Sequence, residues 1–431
     1  MRAIMTIEPK TKKSLQTIIL TQCVGVLGLL LFNNGFMLAY LSRLGTPSYQ
    51  ILFLLSLIPL TGLALTLPFA YLSDRFGKKR IGTSGLWVAV AGLLLIALAG
   101  SFKTQSVGII TTGIVIFSVG RGATAASWFV LLSPIIPGEI RGRFFGKLRI
   151  SWQTTGIVFT LFVTALLKRF TQIQTFQYLL LLVVVAAILR IHFYRKIPEL
   201  ETTPLTSKGF LKPFRKILQI PGYLPFCAYT FLLMLTAGSM PWVMGLLGKD
   251  ILLFNDAQIL LMGNIGAGGA VAGFYLGGKM VDRWGTKFVF LLCHFGLAMV
   301  LFFITLRGFF PFSNASILYL SAGLFGAVFS ASGIAFSSEL LALVPAENKS
   351  LSTGFHLSLS SAGIALSSLL IGQALKQNVL NPEWTLMGQT LCAYDTVLLG
   401  SAVMILLLLI TLGLIPSVIQ VRKAQWYPQN R

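Results

Sequence analysis

Apolar residues fall along the chain in twelve long runs separated by short polar stretches. The runs lie near residues 15–40, 50–72, 81–101, 107–132, 147–167, 174–194, 222–246, 258–278, 287–306, 315–343, 352–374 and 393–415. Each is about the 20 residues that an α-helix needs to cross the hydrocarbon core of a bilayer, or longer. Strands of a membrane barrel would be about half that length and would alternate in polarity. Lipid offers no partner to a backbone N–H or C=O, so each run is predicted to be a helix that satisfies its own backbone. The pattern predicts an all-α membrane protein with twelve transmembrane helices.

Composition excludes the main alternatives. Hydrophobic residues make up 55% of the 431 and charged residues 11%, with a mean hydropathy of +0.82. A soluble domain carries about 25% charged residues, so an ordinary cytosolic enzyme and a disordered chain are both excluded. The four cysteines, Cys23, Cys227, Cys293 and Cys392, sit in or beside apolar runs without CxxC spacing. That argues against a disulfide scaffold and against a metal site. Residues 1–14 are polar and basic and lead straight into a full-length run, so no cleaved signal peptide is expected.

The net charge of +22 would suggest a nucleic-acid partner if the charges shared one soluble face. They sit instead in the short stretches between runs. With the N-terminus inside, the inner segments hold 26 Lys and Arg and the outer loops 7, and the remaining one is Arg121. That bias orients the chain with both termini cytoplasmic, in a plasma (inner) membrane. The basic loops then meet anionic lipid headgroups. No nucleic-acid partner is expected, and the protein is expected to be a monomer.

The two halves of the sequence repeat. Ala70-Tyr71-Leu72-Ser73-Asp74-Arg75-Phe76-Gly77-Lys78-Lys79-Arg80 follows the second run, and Gly278-Lys279-Met280-Val281-Asp282-Arg283-Trp284-Gly285-Thr286-Lys287 follows the eighth. Asp74 and Asp282, Arg75 and Arg283, and Gly77 and Gly285 are all 208 residues apart. Pro137 and Pro345, Glu139 and Glu347, and Gly146 and Gly354 keep that offset, and Arg141 meets Lys349. The expected organisation is two pseudo-symmetric six-helix bundles: residues 1–194, a cytoplasmic linker at 195–221, and residues 222–431.

The repeated loop, with the Pro137-Gly138-Glu139-Ile140-Arg141-Gly142-Arg143 stretch after the fourth run, resembles the signature loops of the major facilitator superfamily. Ala70 departs from that pattern where a Gly is usual, and Thr286 where a basic residue is. The resemblance implies a secondary transporter with its substrate site near the midplane between the halves. The first, fourth, seventh and tenth runs would line that site.

Read chemically, the loop places a carboxylate among cations at a helix end, where it can accept from an Arg or a helix N-terminus. Gly77 suits a turn with positive φ. A charged turn that only fixes orientation is one reading. The other is a clasp between halves formed by Asp74, Arg75, Gly77, Lys78, Glu139 and Arg141 and by Asp282, Arg283, Gly285, Lys287 and Glu347.

Arg121 is the sharpest candidate for substrate contact. It lies near the centre of the fourth run, and its repeat partner is Phe329, so the scaffold itself does not demand a cation there. A charge at that depth costs about 2.5–3.5 kcal/mol even on lenient scales and needs compensation. Its planar fork suits an anionic group; binding carbonyls and polar side chains as a gating element is the alternative.

Asn33, Asn34, Gln153, Trp128 and Asn264 are further candidates on the lining or neighbouring runs. The bland reading for them is helix bridging or interfacial anchoring. Gly263, Gly266, Gly268, Gly269 and Gly273 are expected to let the eighth run pack closely. His294 is expected to be structural, and His356, at the start of the eleventh run, to face a loop.

No acid occupies the middle of a run, so the sequence does not reveal an intramembrane carboxylate for proton coupling. No cofactor, catalytic group or metal ligand set stands out. The expected function is secondary transport of a small organic solute, an anionic one on the first reading of Arg121, by rocker-switch alternating access. A proton-coupled multidrug or metabolite efflux pump is the alternative. Ile150-Ser151-Trp152-Gln153-Thr154-Thr155-Gly156-Ile157-Val158 lacks the Gly-Pro signature of drug–proton antiporters. A non-transporting membrane sensor is the alternative of another class, and an embedded enzyme lacks candidate residues.

Overall fold

A computed structural model of the chain describes residues 9–102, 105–132, 134–136, 141–200, 211–344 and 349–413. Among them, twelve helical segments are long and apolar enough to cross a membrane. The helices are α1 (Pro9–Asn33), α2 (Phe36–Arg43), α3 (Ser48–Phe76), α4 (Lys78–Ala99), α5 (Ser106–Leu132), α6 (Arg141–Arg169) and α7 (Ile173–Lys196). Then come α8 (Leu211–Leu218), α9 (Tyr223–Ala237), α10 (Met240–Asp250), α11 (Asp256–Trp284), α12 (Thr286–Thr305), α13 (Asn314–Leu343), α14 (Lys349–Lys376) and α15 (Ala393–Leu408). The outward faces are apolar, with Val158, Tyr178 and Val185 all more than 60% exposed, as surfaces solvated by lipid tails should be.

Two predicted spans are each made of two helices. The first breaks at Asn34–Gly35, where Gly35 has φ +82° and precedes α2. A Cβ at Gly35 would sit 2.8 Å from the Ile259 side chain, and one at Gly263 would sit 2.5 Å from the Asn34 carbonyl oxygen. Backbone-to-backbone approach to α11 therefore fixes the break. The seventh span breaks at Gly238–Ser239, with Pro241 in the first turn of α10. Pro there costs no backbone hydrogen bond, because that N–H has no helical partner in any case. The first span of each sequence half is thus interrupted, a point to which hydropathy is blind.

The chain forms two compact units. Unit 1 comprises Met1–Phe32 and Ala64–Lys208, and unit 2 comprises Asn33–Leu63 and Gly209–Arg431. In unit 1 a glycine seam joins α4 to α5. A Cβ at Gly120 would lie 2.3 Å from the Ala89 nitrogen and the Gly85 carbonyl, and one at Gly92 2.3 Å from the Phe117 nitrogen. Only glycine allows backbones that close.

In unit 2 the corresponding seam joins α11 to α13. Cβ atoms at Gly269 and Gly273 would each lie 1.9 Å from carbonyl oxygens, of Gly323 and Ala327 respectively. The expected tight packing of the eighth run therefore holds at Gly263, Gly269 and Gly273, whereas Gly268 meets open space. The seams differ between the repeats: third span on fourth in unit 1, eighth on tenth in unit 2.

Unit 2 also carries an antiparallel hairpin that no apolar run predicted. Its strands, β1 (Glu383–Leu386) and β2 (Gln389–Cys392), turn through Met387 and Gly388, both with positive φ. That is the sign combination of the hairpin turn that matches strand twist.

A two-arginine cluster in unit 1 and a polar seam in unit 2: the candidate functional site

Arg121 sits on α5 of unit 1, half-buried, and its Nε is buried without a hydrogen-bond partner. A second arginine, Arg190 on α7, lies within electrostatic range of it. The Arg190 Nε is likewise buried and unpartnered, while its Nη1 donates over a long 3.5 Å to the Gly25 carbonyl on α1. Gly25 makes room for it, since a Cβ there would lie 2.2 Å from the Arg190 Nε.

One helical turn on, Tyr194 shares the Arg190 face of α7 and lies within the field of Arg190. Its hydroxyl is buried and unpartnered. That hydroxyl enters a notch at Gly82, where a Cβ would come within 1.9 Å of it. Trp128 stacks on the Tyr194 ring at 6.0 Å between centroids. Thr124 donates to the carbonyls of Gly120 and Gly82 at 3.0 and 3.3 Å and tightens the same corner.

Arg190 is not among the sequence candidates, because it lies four residues from the end of the sixth run and groups with the basic linker that follows. The structure places it inside α7. Its position within an apolar run was the available signal.

The other candidates are distributed differently. Gln153 is on α6 of unit 1 with its Oε1 buried and unpartnered. Asn33, Asn34 and Asn264 belong to unit 2. Asn33 is exposed, and Asn34 is buried at the α1–α2 break with a free Nδ2. Asn264 is buried beside Gly263, where the Asn34 backbone meets α11. Arg121 and Trp128 thus gather in one unit, and Asn34 and Asn264 in the other.

The repeated loops anchor their helices by acids that are distant from them in sequence. Gly77 has φ +97° and Gly285 +79°, as a glycine turn predicts. In unit 1 the backbone N–H groups of Lys78 and Lys79 donate to Glu199 Oε1 at 2.8 and 3.2 Å. Glu199 therefore satisfies free donors at the positive end of α4. Arg75 is exposed and lies over the Phe76 ring.

In unit 2 the Thr286 hydroxyl donates to Glu339 Oε2 at 2.6 Å. Glu339 is 1% exposed, and its second oxygen has no partner. Asp282 and Arg283 are exposed, and Lys287 is half-buried. Glu139 and Glu347 lie outside the described residues, as do the side chains of Asp74, Arg141 and Lys349.

His294 bridges three helices, with Tyr229 on Nδ1 at 2.5 Å and Ser332 on Nε2 at 2.9 Å; it is structural, as expected. His356 is not loop-facing. It is buried between the rings of Phe226 and Phe336, and neither ring nitrogen has a partner. Close packing of α14 on α9 pulls this end-of-run residue inward.

At the end of unit 2 that the charge bias predicts to face outward, Asn33–Leu63 is tied to the later helices by polar contacts. Arg43 pairs with Asp256 at 2.6 Å. Asp250 accepts from the Ser48 hydroxyl at 2.6 Å and from the Tyr394 hydroxyl, and pairs with Lys249 at 3.3 Å. Deeper in, Ser368 donates to the Leu52 carbonyl at 2.8 Å. Nearby, Arg307 forms a two-pronged pair with buried Asp395. Burial opposes the Arg307 charge, but the hydrogen bonds and charge of Asp395 prevail and raise its pKa above the ordinary guanidinium value.

Twelve interrupted or continuous spans, glycine seams and buried cations define a polytopic helical membrane protein. The sequence model of the Major Facilitator Superfamily matches residues 20–368, and the chain belongs to that superfamily of membrane transporters. None of the curated proteins matches it.

Solved structures with a similar fold include a POT family transporter in complex with 5-aminolevulinic acid. It is 12% identical, with a TM-score of 0.75, covering 95% of this chain and 97% of that one. A D-xylose-proton symporter is 13% identical with a TM-score of 0.71, covering 91% and 96%. The nucleoside transporter NupG is 16% identical with a TM-score of 0.64, covering 94% and 98%. At such identities the likeness is one of fold.

Proposed function

We propose that the protein is a secondary transporter of a small organic anion, working by rocker-switch alternating access with both termini cytoplasmic. The observation that carries this reading is Arg121: a guanidinium within a membrane span whose Nε is buried and unpartnered. A cation so placed needs a counter-charge, and a planar fork is suited to a carboxylate or phosphate. Small polar solutes named with the structural neighbours, a nucleoside, xylose and 5-aminolevulinic acid, support the size class.

Under the same reading, the contacts of Arg43 with Asp256 and of Ser48 and Tyr394 with Asp250 form the outer gate. The loops around Asp74 and Asp282 form its cytoplasmic counterpart. The test is counterflow in proteoliposomes with a panel of labelled organic anions and neutral solutes. An anion should exchange in the wild type and fail to exchange with Arg121→Gln at equal protein incorporation. Exchange of neutral solutes alone, unaffected by that substitution, would falsify the proposal.

A further inference from the structure

We infer that Arg121 and Arg190 together form a clamp for a doubly charged group, a phosphate monoester or phosphonate, within unit 1. The inference rests on the anion reading above and names the class of anion.

Three donors of this corner lack an acceptor, and the Tyr194 and Thr124 hydroxyls both reach Gly82, one helical turn on from Arg190 along α7 and from Arg121 along α5. The Nε of Arg121, the Nε of Arg190 and the hydroxyl of Tyr194 are all buried and unpartnered. The field of Arg190 reaches both of the others, and that of Glu199 also reaches Tyr194, but only as a single carboxylate already hydrogen-bonded to the Lys78 and Lys79 N–H groups. Two like charges held together away from water repel each other and lose hydration. One anion between them removes both penalties, and two negative charges remove them more fully than one.

The surroundings hold the pair in place. Gly25 on α1 leaves the space that the Arg190 guanidinium fills, and Gly82 on α4 leaves the notch for the Tyr194 hydroxyl. Trp128 stacks behind Tyr194. A methyl group at either glycine would occupy the position of a donor. A phosphate dianion offers several acceptor oxygens in one compact group, enough for all three donors. A dicarboxylate separates its charges along a chain.

The decisive measurement is a titration of the purified protein in lipid nanodiscs, by calorimetry and thermal shift. The probes are methyl phosphate, dimethyl phosphate and succinate at about pH 8, above the second phosphate ionisation near 6. Methyl phosphate should bind about 10-fold or more tightly than dimethyl phosphate, the difference one added charge makes at a partly buried cation. Arg190→Gln should abolish that preference while binding of dimethyl phosphate changes by less than about 3-fold, because Arg121 still holds one charge.

Arg190→Lys should keep most of the preference. Gly25→Ala, which displaces the guanidinium without removing its charge, should reduce it. An unchanged preference in Arg190→Gln overturns the clamp and leaves the Arg121 reading standing. So does equal binding of the two esters by the wild type, or tighter binding of succinate than of methyl phosphate. Affinities for all three probes that ignore Arg121→Gln, or no binding by the wild type, overturn the anion reading as well. Variants are compared only as monodisperse protein, and Gly25→Ala supplies the test if Arg190→Gln does not fold, an unchanged preference in it overturning the clamp.

Discussion

Arg43 Nε donates to Asp256 Oδ2 at 2.6 Å, joining the end of α2 to the first residue of α11 across 213 positions of sequence. Asp256 is nearly buried and Arg43 partly exposed. The pair therefore escapes part of the screening that makes most surface ion pairs worth about 0–1 kcal/mol.

If this contact is an outer gate, weakening it should favour the state in which that end is open. A cysteine placed at Leu38, which packs toward Gly245, reports the opening in a background lacking the native cysteines. With Arg43→Gln or Asp256→Asn, a membrane-impermeant maleimide should label it about 5-fold faster, the shift expected from about 1 kcal/mol. The double variant should add little to either single one. Labelling that stays at the parental rate would remove the pair from any gating role.

Arg307 and Asp395 make a different prediction, because both are buried and Asp395 also accepts from the Cys392 backbone N–H at 2.9 Å. Asp395→Asn leaves the guanidinium without its counter-charge and should cost about 3–5 kcal/mol, read as a lowered Tm in detergent. Replacing both by apolar residues of similar volume should recover most of the loss. The raised Arg307 pKa contributes stability that is complete below the unfolded guanidinium value and disappears only as pH rises through the folded one. Between about pH 5 and 9 this arginine should therefore add no slope to the Tm.

The seam between α4 and α5 should tolerate no added carbon. Gly120→Ala brings a methyl group to 2.3 Å from backbone atoms of Ala89 and Gly85. Backbone cannot yield as a flexible side chain does, so a loss of about 1–3 kcal/mol is expected. Gly108→Ala on the same helix meets open space and should match the wild type or exceed it slightly through helix propensity. Thermal unfolding of the two variants side by side checks the contrast; equal Tm values would contradict the seam.

How far the sequence could be read depended on the range of each interaction. The spans were legible because lipid imposes one requirement on every residue of a run. The turns at Gly77 and Gly285 were legible because backbone strain is local. Arg121 stood out because its charge interrupts an apolar run. Arg190 did not, because it lies close enough to the basic linker to be counted with it. Glu199 gave no sign of its role, since its partners at Lys78 and Lys79 are about 120 residues away. The break after Asn33 also escaped, because Phe36–Leu41 are as apolar as the residues before it; the backbone of α11, not hydropathy, sets that boundary.

Glu199 provides the last test. Its carboxylate receives two backbone N–H groups at the start of α4, immediately after the Gly77 turn that opens the signature loop. Glu199→Gln keeps the shape and one acceptor oxygen but loses the charge that favours the positive helix end. A destabilisation of about 1 kcal/mol is expected, with Glu199→Ala costing more. If the loop is only an orientation signal, transport per folded molecule should be unchanged in both variants. If it is the cytoplasmic part of a gate, loosening its anchor should lower the maximal exchange rate in proteoliposomes while the substrate concentration at half-maximum stays within about 2-fold, because neither arginine is altered. Asp74→Asn should reproduce that split between rate and affinity with normal membrane insertion. A rise in half-maximal concentration without a fall in rate would place the defect at the binding site and remove the loop from the gate.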